Sequence, residues 1–216
     1  MLWLPRGIRA RAVEKLELHR GQTVLEVGCG TGRSFQYLHV ATGPTGHIFG
    51  VDLSEQMLHR ARMVCERHKW ANVSLTRGDV LDYRVPAAVD AVLFSLSYSV
   101  MRDRERILRH AWSQLRPEGR LVIADGKNLP GLLGRWLHRL TLLEMKATVL
   151  GDPDHHAPAD LRALTDDVQL EEELFGAYFI CRGRKPPAGV TADGPRAPRT
   201  ARMPLHRSET SAREPA

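Results

Sequence analysis

Val24-Leu25-Glu26-Val27-Gly28-Cys29-Gly30-Thr31-Gly32 is a β-branched apolar run that breaks into a glycine-rich turn. Arg33 to Val40 follows with helical spacing, so the stretch reads as strand, tight turn and helix. Glycine lets a backbone approach a ligand closely, and in an open α/β sheet a ligand sits outside the carboxyl end of such a strand. The spacing narrows what that ligand is. A dinucleotide fingerprint wants glycine at the first, third and sixth positions of the turn, and the sixth here is Arg33. What stands instead is an acidic residue, Glu26, two positions before G-x-G-x-G.

Outward from that turn, short runs rich in Val, Ile and Phe alternate with longer amphipathic stretches, the pattern of a parallel sheet covered by helices. Strands are expected at Thr23 to Val27, His47 to Asp52, Val73 to Arg77, Asp90 to Leu96, Arg120 to Asp125, Gln169 to Leu174 and Ala177 to Cys181. Helices are expected at Arg6 to His19, Arg33 to Val40, Ser54 to His68 and Arg104 to Leu115. Ser54 reads as an N-cap, and Met57, Ala61, Val64 and Cys65 as the buried stripe behind it. Pro117 and Gly119 read as the stop after the fourth helix. Only Phe175 and Gly176 separate the last two strands, too few for a helical crossover, so they predict an antiparallel hairpin at the sheet edge. The fold class is therefore α/β, a Rossmann-like seven-stranded sheet with helices on both faces and an antiparallel C-terminal hairpin.

Composition bounds the rest. The 216 residues suit one domain, and a hydrophobic share of 43% with 26% charged residues is ordinary for a globular chain. Much of the net charge of +6 sits after residue 182, where seven Lys or Arg face three Asp or Glu among six of the thirteen prolines. Residues 1–182 thus read as the folded domain and 183–216 as a disordered basic tail. A nearly neutral folded part argues against nucleic acid as partner, as does the lack of an Asn-Pro-Pro-Tyr-like string after the fourth strand. Three scattered cysteines suggest a reducing, cytoplasmic setting, and Pro5 and Arg6 interrupt the apolar start too early for a signal-peptide core.

The nine-residue string, with Gly50-Val51-Asp52, Gly78-Asp79-Val80 and Leu115-Arg116-Pro117-Glu118-Gly119, resembles class I S-adenosylmethionine-dependent methyltransferases over roughly residues 6–182. That resemblance implies S-adenosyl-L-methionine as cofactor and an inverted last strand. It implies that Glu26, Gly28, Cys29, Gly30 and Gly32 meet the methionyl part, that Asp52 and Leu53 meet the ribose and its surroundings, and that Asp79 and Val80 meet adenine. Independently, a carboxylate ending the second strand can accept two hydrogen bonds from ribose hydroxyls. Ser95 opens the hydroxyl-rich exit Phe94 to Met101, which faces the transferable methyl. Gly30 to Arg33, Phe94 to Met101 and Phe175 through Lys185 further resemble bacterial lipid N-methyltransferases acting on phosphatidylethanolamine or a betaine-lipid precursor.

Methyl transfer to an amine needs in-line positioning more than a strong base. Tyr98 and Asp125 are the candidate catalytic residues, to orient the amine, and the rings of Tyr98, Trp136 or Tyr178 could face the methylated cation. The stretch 129–150 reads as a basic amphipathic helix, either a lid or a surface that takes up a lipid substrate with peripheral membrane contact. Gly151 to His156 holds adjacent histidines but no third ligand cluster, so no metal is expected. The leading reading is a methyltransferase for a small molecule or lipid headgroup, at nitrogen. Carbon or oxygen methylation of a quinone-like ring and a non-catalytic cofactor-binding module stay open, while Arg33 disfavours a nicotinamide oxidoreductase.

Overall fold

The computed structural model describes residues 7–126, 156–173 and 177–189. Along the chain run α1 (Ile8–Glu14), β1 (Thr23–Val27), α2 (Phe35–Thr42), β2 (His47–Asp52), α3 (Glu55–His68), β3 (Val73–Arg77), β4 (Val89–Ser95), α4 (Arg104–Ser113), β5 (Leu115–Gly126), α5 (Ala157–Arg162), β6 (Val168–Glu173) and β7 (Tyr178–Arg184). The strands form one seven-stranded sheet in the order β3-β2-β1-β4-β5-β7-β6. β1 to β5 pair in parallel, and β7 enters antiparallel between β5 and β6. This is the Rossmann-like sheet with an inverted last strand.

The period-two alternation of the strands sorts their side chains into two cores. Val24, Ala91, Leu93, Val122, Ala124 and Ile180 face α1, α2 and α3, meeting Ile8, Ala12, Phe35, Leu38, Leu58 and Ala61. Leu25, Val27, Val92, Phe94, Leu121, Ile123 and Phe179 face the other way, onto Ile107, Leu108 and Ala111 of α4 and Leu161 of α5. Both faces are thus covered, which explains why the central strands are nearly continuous in apolar residues.

Several boundaries differ from the sequence reading. Ser54 does cap α3, its hydroxyl accepting from Met57 N at 3.3 Å, but the buried stripe is Leu58, Ala61 and Cys65 while Met57 stands 36% exposed. With Met57 serving the cap, the inward face begins one residue later. Pro117 and Gly119 lie inside β5, which starts at Leu115, because the helix has already ended at Ser113 and Val89 pairs with Leu115 across a register shift. β7 carries the folded part past residue 182: Arg182 pairs with Glu17, Arg184 with Glu118 at 2.9 Å, and Lys185 Nζ donates to Trp112 O at 3.1 Å. Charge alone made those residues look like tail, whereas each has a partner on the sheet. α5 was not expected from the sequence. The stretch 129–150 with Trp136, the residues Gly151 to His155, the Phe175-Gly176 turn and the tail beyond residue 189 lie outside the described residues.

Candidate cofactor and acceptor site

The turn after β1 is folded over the end of β2. Gly28 N and Cys29 N donate to Val51 O at 2.8 and 3.1 Å, and Gly30 N donates to Asp52 Oδ2 at 2.8 Å. Gly28 and Gly30 take φ values of +67° and +56°, the left-handed region open to glycine. Their surroundings differ. A Cβ on Gly28 would lie 2.7 Å from Ser97 Cβ and 3.0 Å from Met101 Cε, whereas a Cβ on Gly30 would meet nothing within 4 Å. Gly28 is where the turn packs on the β4 exit, and Gly30 is where it faces open space. Gly32 also has a positive φ and packs on Phe35.

Strand register places Glu26 beside Leu93, Ser95 beside Ala124 and Gly126 beside Tyr178, so Glu26, Ser95 and Tyr178 share the face of α1 to α3 at the carboxyl end of the sheet. Glu26 is 1% exposed. Its carboxylate bonds the Ser34 side chain, yet Oε2 has no partner. Burial pushes the carboxyl up to about 8, against the Ser34 hydrogen bond and the Arg9 guanidinium, with the Asp52 charge adding to the rise. Ser95 Oγ is likewise buried without a partner. Cys29 is buried, and burial pushes its thiol far up, so its backbone rather than its sulfur meets whatever binds in the turn.

Asp52 ends β2 with Oδ2 on Gly30 N and Oδ1 on Ser54 N, both at 2.8 Å. Each oxygen keeps a second lone pair for an incoming hydroxyl. Leu53, next along, is 69% exposed, an apolar side chain presented beside that carboxylate. After β3, Asp79 Oδ1 accepts from Leu81 N at 2.9 Å and the side chain stays exposed, while Val80 is 7% exposed in the opposite core. A half-satisfied buried carboxylate, an open backbone cradle at Gly30 and a hydroxyl-accepting carboxylate one strand away suit the methionyl and ribose parts of S-adenosylmethionine. The residues present fit that group.

At the acceptor end, the β4 exit is held tightly. Ser97 Oγ donates to Val27 O at 2.7 Å, tying the exit to β1. Tyr98 is fully buried, set edge-on to Phe94 with ring centroids 5.5 Å apart, and its hydroxyl donates to Asp160 Oδ2 at 2.8 Å. Burial and then the Asp160 carboxylate push the phenol well above its ordinary range. Asp125 is 2% exposed and accepts from Ser99 N at 2.8 Å, Ser99 Oγ at 3.1 Å and Gly126 N at 2.8 Å. Both residues therefore brace the exit segment. Tyr178 is half-buried, its phenol raised by burial and then by Asp125. Ser34, Arg9 and Asp160 were not singled out from the sequence, because only tertiary packing carries them to Glu26 and Tyr98. Ser97 and Ser99 were visible as part of the hydroxyl-rich run.

Comparison with known proteins agrees with this arrangement. The chain is 34% identical over 125 residues to a protein-L-isoaspartate O-methyltransferase of Methanothrix thermoacetophila, covering 57% of this chain and 57% of that protein. It is 29% identical over 126 residues to a demethylmenaquinone methyltransferase of Listeria welshimeri, covering 57% of this chain and 53% of the relative. The chain thus spans little more than half the length of the curated relatives it matches. Its fold is similar to that of the phosphoethanolamine N-methyltransferase 2 of Haemonchus contortus, solved with phosphomonomethylethanolamine and S-adenosylhomocysteine, with a TM-score of 0.66 at 16% identity over 82% of this chain and 52% of that one. Residues 18–169 match the family model described as a methyltransferase domain, and the chain, with its inverted seventh strand and glycine turn over Asp52, belongs to that family.

Proposed function

We propose that this chain is an S-adenosylmethionine-dependent methyltransferase acting on the amine of a small molecule or lipid headgroup. Bound S-adenosylmethionine supplies a methyl group on a sulfonium, so that the acceptor lone pair forms the new bond as the carbon–sulfur bond breaks. The residues of the chain position and shield. Glu26 and the glycine turn hold the amino-acid end, Asp52 holds the ribose hydroxyls beside Leu53, and Asp79 and Val80 border the base. Ser95 Oγ, buried without a partner, is the polar group left to meet the acceptor.

The state of Tyr98 and Asp125 carries the choice of nitrogen. The Tyr98 proton is committed to Asp160 and Asp125 is committed to Ser99 and Gly126, so neither stands ready to take a proton. An amine attacks with its lone pair and needs no prior deprotonation, whereas a hydroxyl acceptor does. Tyr98 and Asp125 then act as positioning residues that fix the β4 exit, and the Tyr178 ring is the one that faces a methylated cation. A headgroup carried on a lipid would also suit the basic amphipathic pattern of residues 129–150, with peripheral contact to an anionic membrane. Carbon methylation of a quinone-like ring is the second reading, favoured by the demethylmenaquinone methyltransferase among the relatives.

The test is calorimetric titration with S-adenosylmethionine and with NADH, then transfer of labelled methyl to phosphomonomethylethanolamine and to a demethylated quinone. Binding of the methyl donor, abolished by Asp52→Ala, with label in the amine, is the expected outcome. Label in the quinone alone moves the assignment to the second reading, and binding without any transfer leaves a cofactor-binding module.

A further inference from the structure

Three cations project from the short helix α1 and its C-cap, and their fates differ. Arg11 pairs with Glu173 and Lys15 with Glu171, both on β6. Arg9, on the first turn, is half-buried, and among the described residues no ion pair or hydrogen bond engages its guanidinium. Its electrostatic neighbours are Arg33 just after the glycine turn, Glu26 at the end of β1 and Tyr37 on α2. Burial and then the Arg33 charge disfavour its protonated form, so the site around it lacks negative charge. Beside it Glu26 Oε2 is buried and lacks a donor.

A half-buried guanidinium without a carboxylate and a buried carboxylate without a cation, at one turn, are each costly alone. They have not paired with each other, and the space at Gly30 is open. What satisfies both at once is a small zwitterion that offers a carboxylate to one and an ammonium to the other. We propose that Arg9, reinforced by Arg33, receives the α-carboxylate of an amino-acid ligand whose α-ammonium meets Glu26, making Arg9 the residue that fixes the methionyl end of the cofactor. This rests on the reading of the glycine turn as the cofactor site. Arg9 does no chemistry; it sets how far the amino-acid end enters, and through it where the methyl stands.

The experiment compares, by calorimetry on the full chain, S-adenosylmethionine with its decarboxylated analogue, which keeps the sulfonium and the amine and lacks only the carboxylate. The wild-type protein is expected to bind the analogue about ten- to a hundred-fold more weakly, the range for loss of a charge-assisted pair. Arg9→Ala should weaken S-adenosylmethionine to the same level and leave the analogue unchanged, with Arg9→Lys recovering part of the discrimination. Equal wild-type affinity for the two ligands overturns the proposal, as does an Arg9→Ala variant that weakens both alike. Should Arg9→Ala fail to fold by circular dichroism, the wild-type ratio decides alone. Binding of neither ligand instead overturns the cofactor reading itself, so the two failures are distinguishable.

Discussion

At the scale of single residues, Glu26 is the group whose chemistry the fold has altered most usefully. Its carboxyl, pushed up to about 8 by burial, is protonated in the folded protein across a range where the unfolded chain has lost the proton. A folded-state value raised above the unfolded one contributes stability that is fully present below about pH 4.5 and is lost as pH rises through about 8. The ligand-free protein is therefore expected to lose stability between pH 5 and 8, by on the order of a few kcal/mol from this group. Glu26→Gln should flatten that part of the profile, as thermal melts over the same range will show. A variant whose melting temperature falls as steeply as wild type would place the effect elsewhere. A cation arriving at Oε2 draws the carboxyl back down, so cofactor binding should release a proton near neutrality, read from binding enthalpies in buffers of different ionisation heat.

At the scale of elements, the β4 exit connects chemistry to architecture. Leu96 has a φ of +56° and bonds Ala124 O at 2.8 Å, so the strand leaves the sheet through a left-handed residue before the Ser97 to Met101 segment. That segment is fastened to β1 by Ser97, to β5 by Asp125 and to α5 by Tyr98. Tyr98→Phe keeps the ring against Phe94 but removes the hydrogen bond to Asp160, which should cost roughly 1 to 3 kcal/mol by denaturant unfolding. If Tyr98 positions the exit, kcat falls only a few-fold and the pH–rate profile keeps its shape. If it were instead the acid or base, the variant would lose a limb of that profile.

At the scale of the whole molecule, α1 is the strap that joins the cofactor end to the inverted strands. Its first turn carries Arg9 beside Glu26, and beyond its last turn Glu17 pairs with both Arg120 of β5 and Arg182 of β7. Arg182 is only 9% exposed, so it relies on that partner. Glu17→Ala leaves two guanidinium groups near the sheet without their carboxylate, and about 3 kcal/mol of stability should go with it. Arg182→Met in the same background should restore much of the loss, since a buried ion is then replaced by packing. A Glu17→Ala protein as stable as wild type would mean that solvent already screens the pair. The described residues contain no helix long and apolar enough to cross a membrane, so any lipid acceptor would be met at the surface of this strap-and-sheet body.

The sheet was legible in the sequence because its signals are local: each strand is a short β-branched run, and the glycine spacing after Val27 needs no neighbour to be read. Glu26, Asp52 and Asp79 were legible for the same reason, each standing at a strand end that the period-two pattern locates. The inverted β7 followed from the two residues between the last strand runs, a limit set by chain length. Other facts exist only in three dimensions. Whether Met57 or Leu58 faces the core depended on how the Ser54 cap turned the helix. That Arg182 and Arg184 belong to a strand depended on Glu17 and Glu118, which stand far away in the chain. The roles of Tyr98 and Asp125 depended on Asp160 and Ser99, partners brought up by packing, and Arg9 met Glu26 only because α1 lies across the ends of β1 and α2. Local pattern thus determined the elements and the cofactor turn, while long-range contacts decided which polar groups are satisfied and which are left for a ligand.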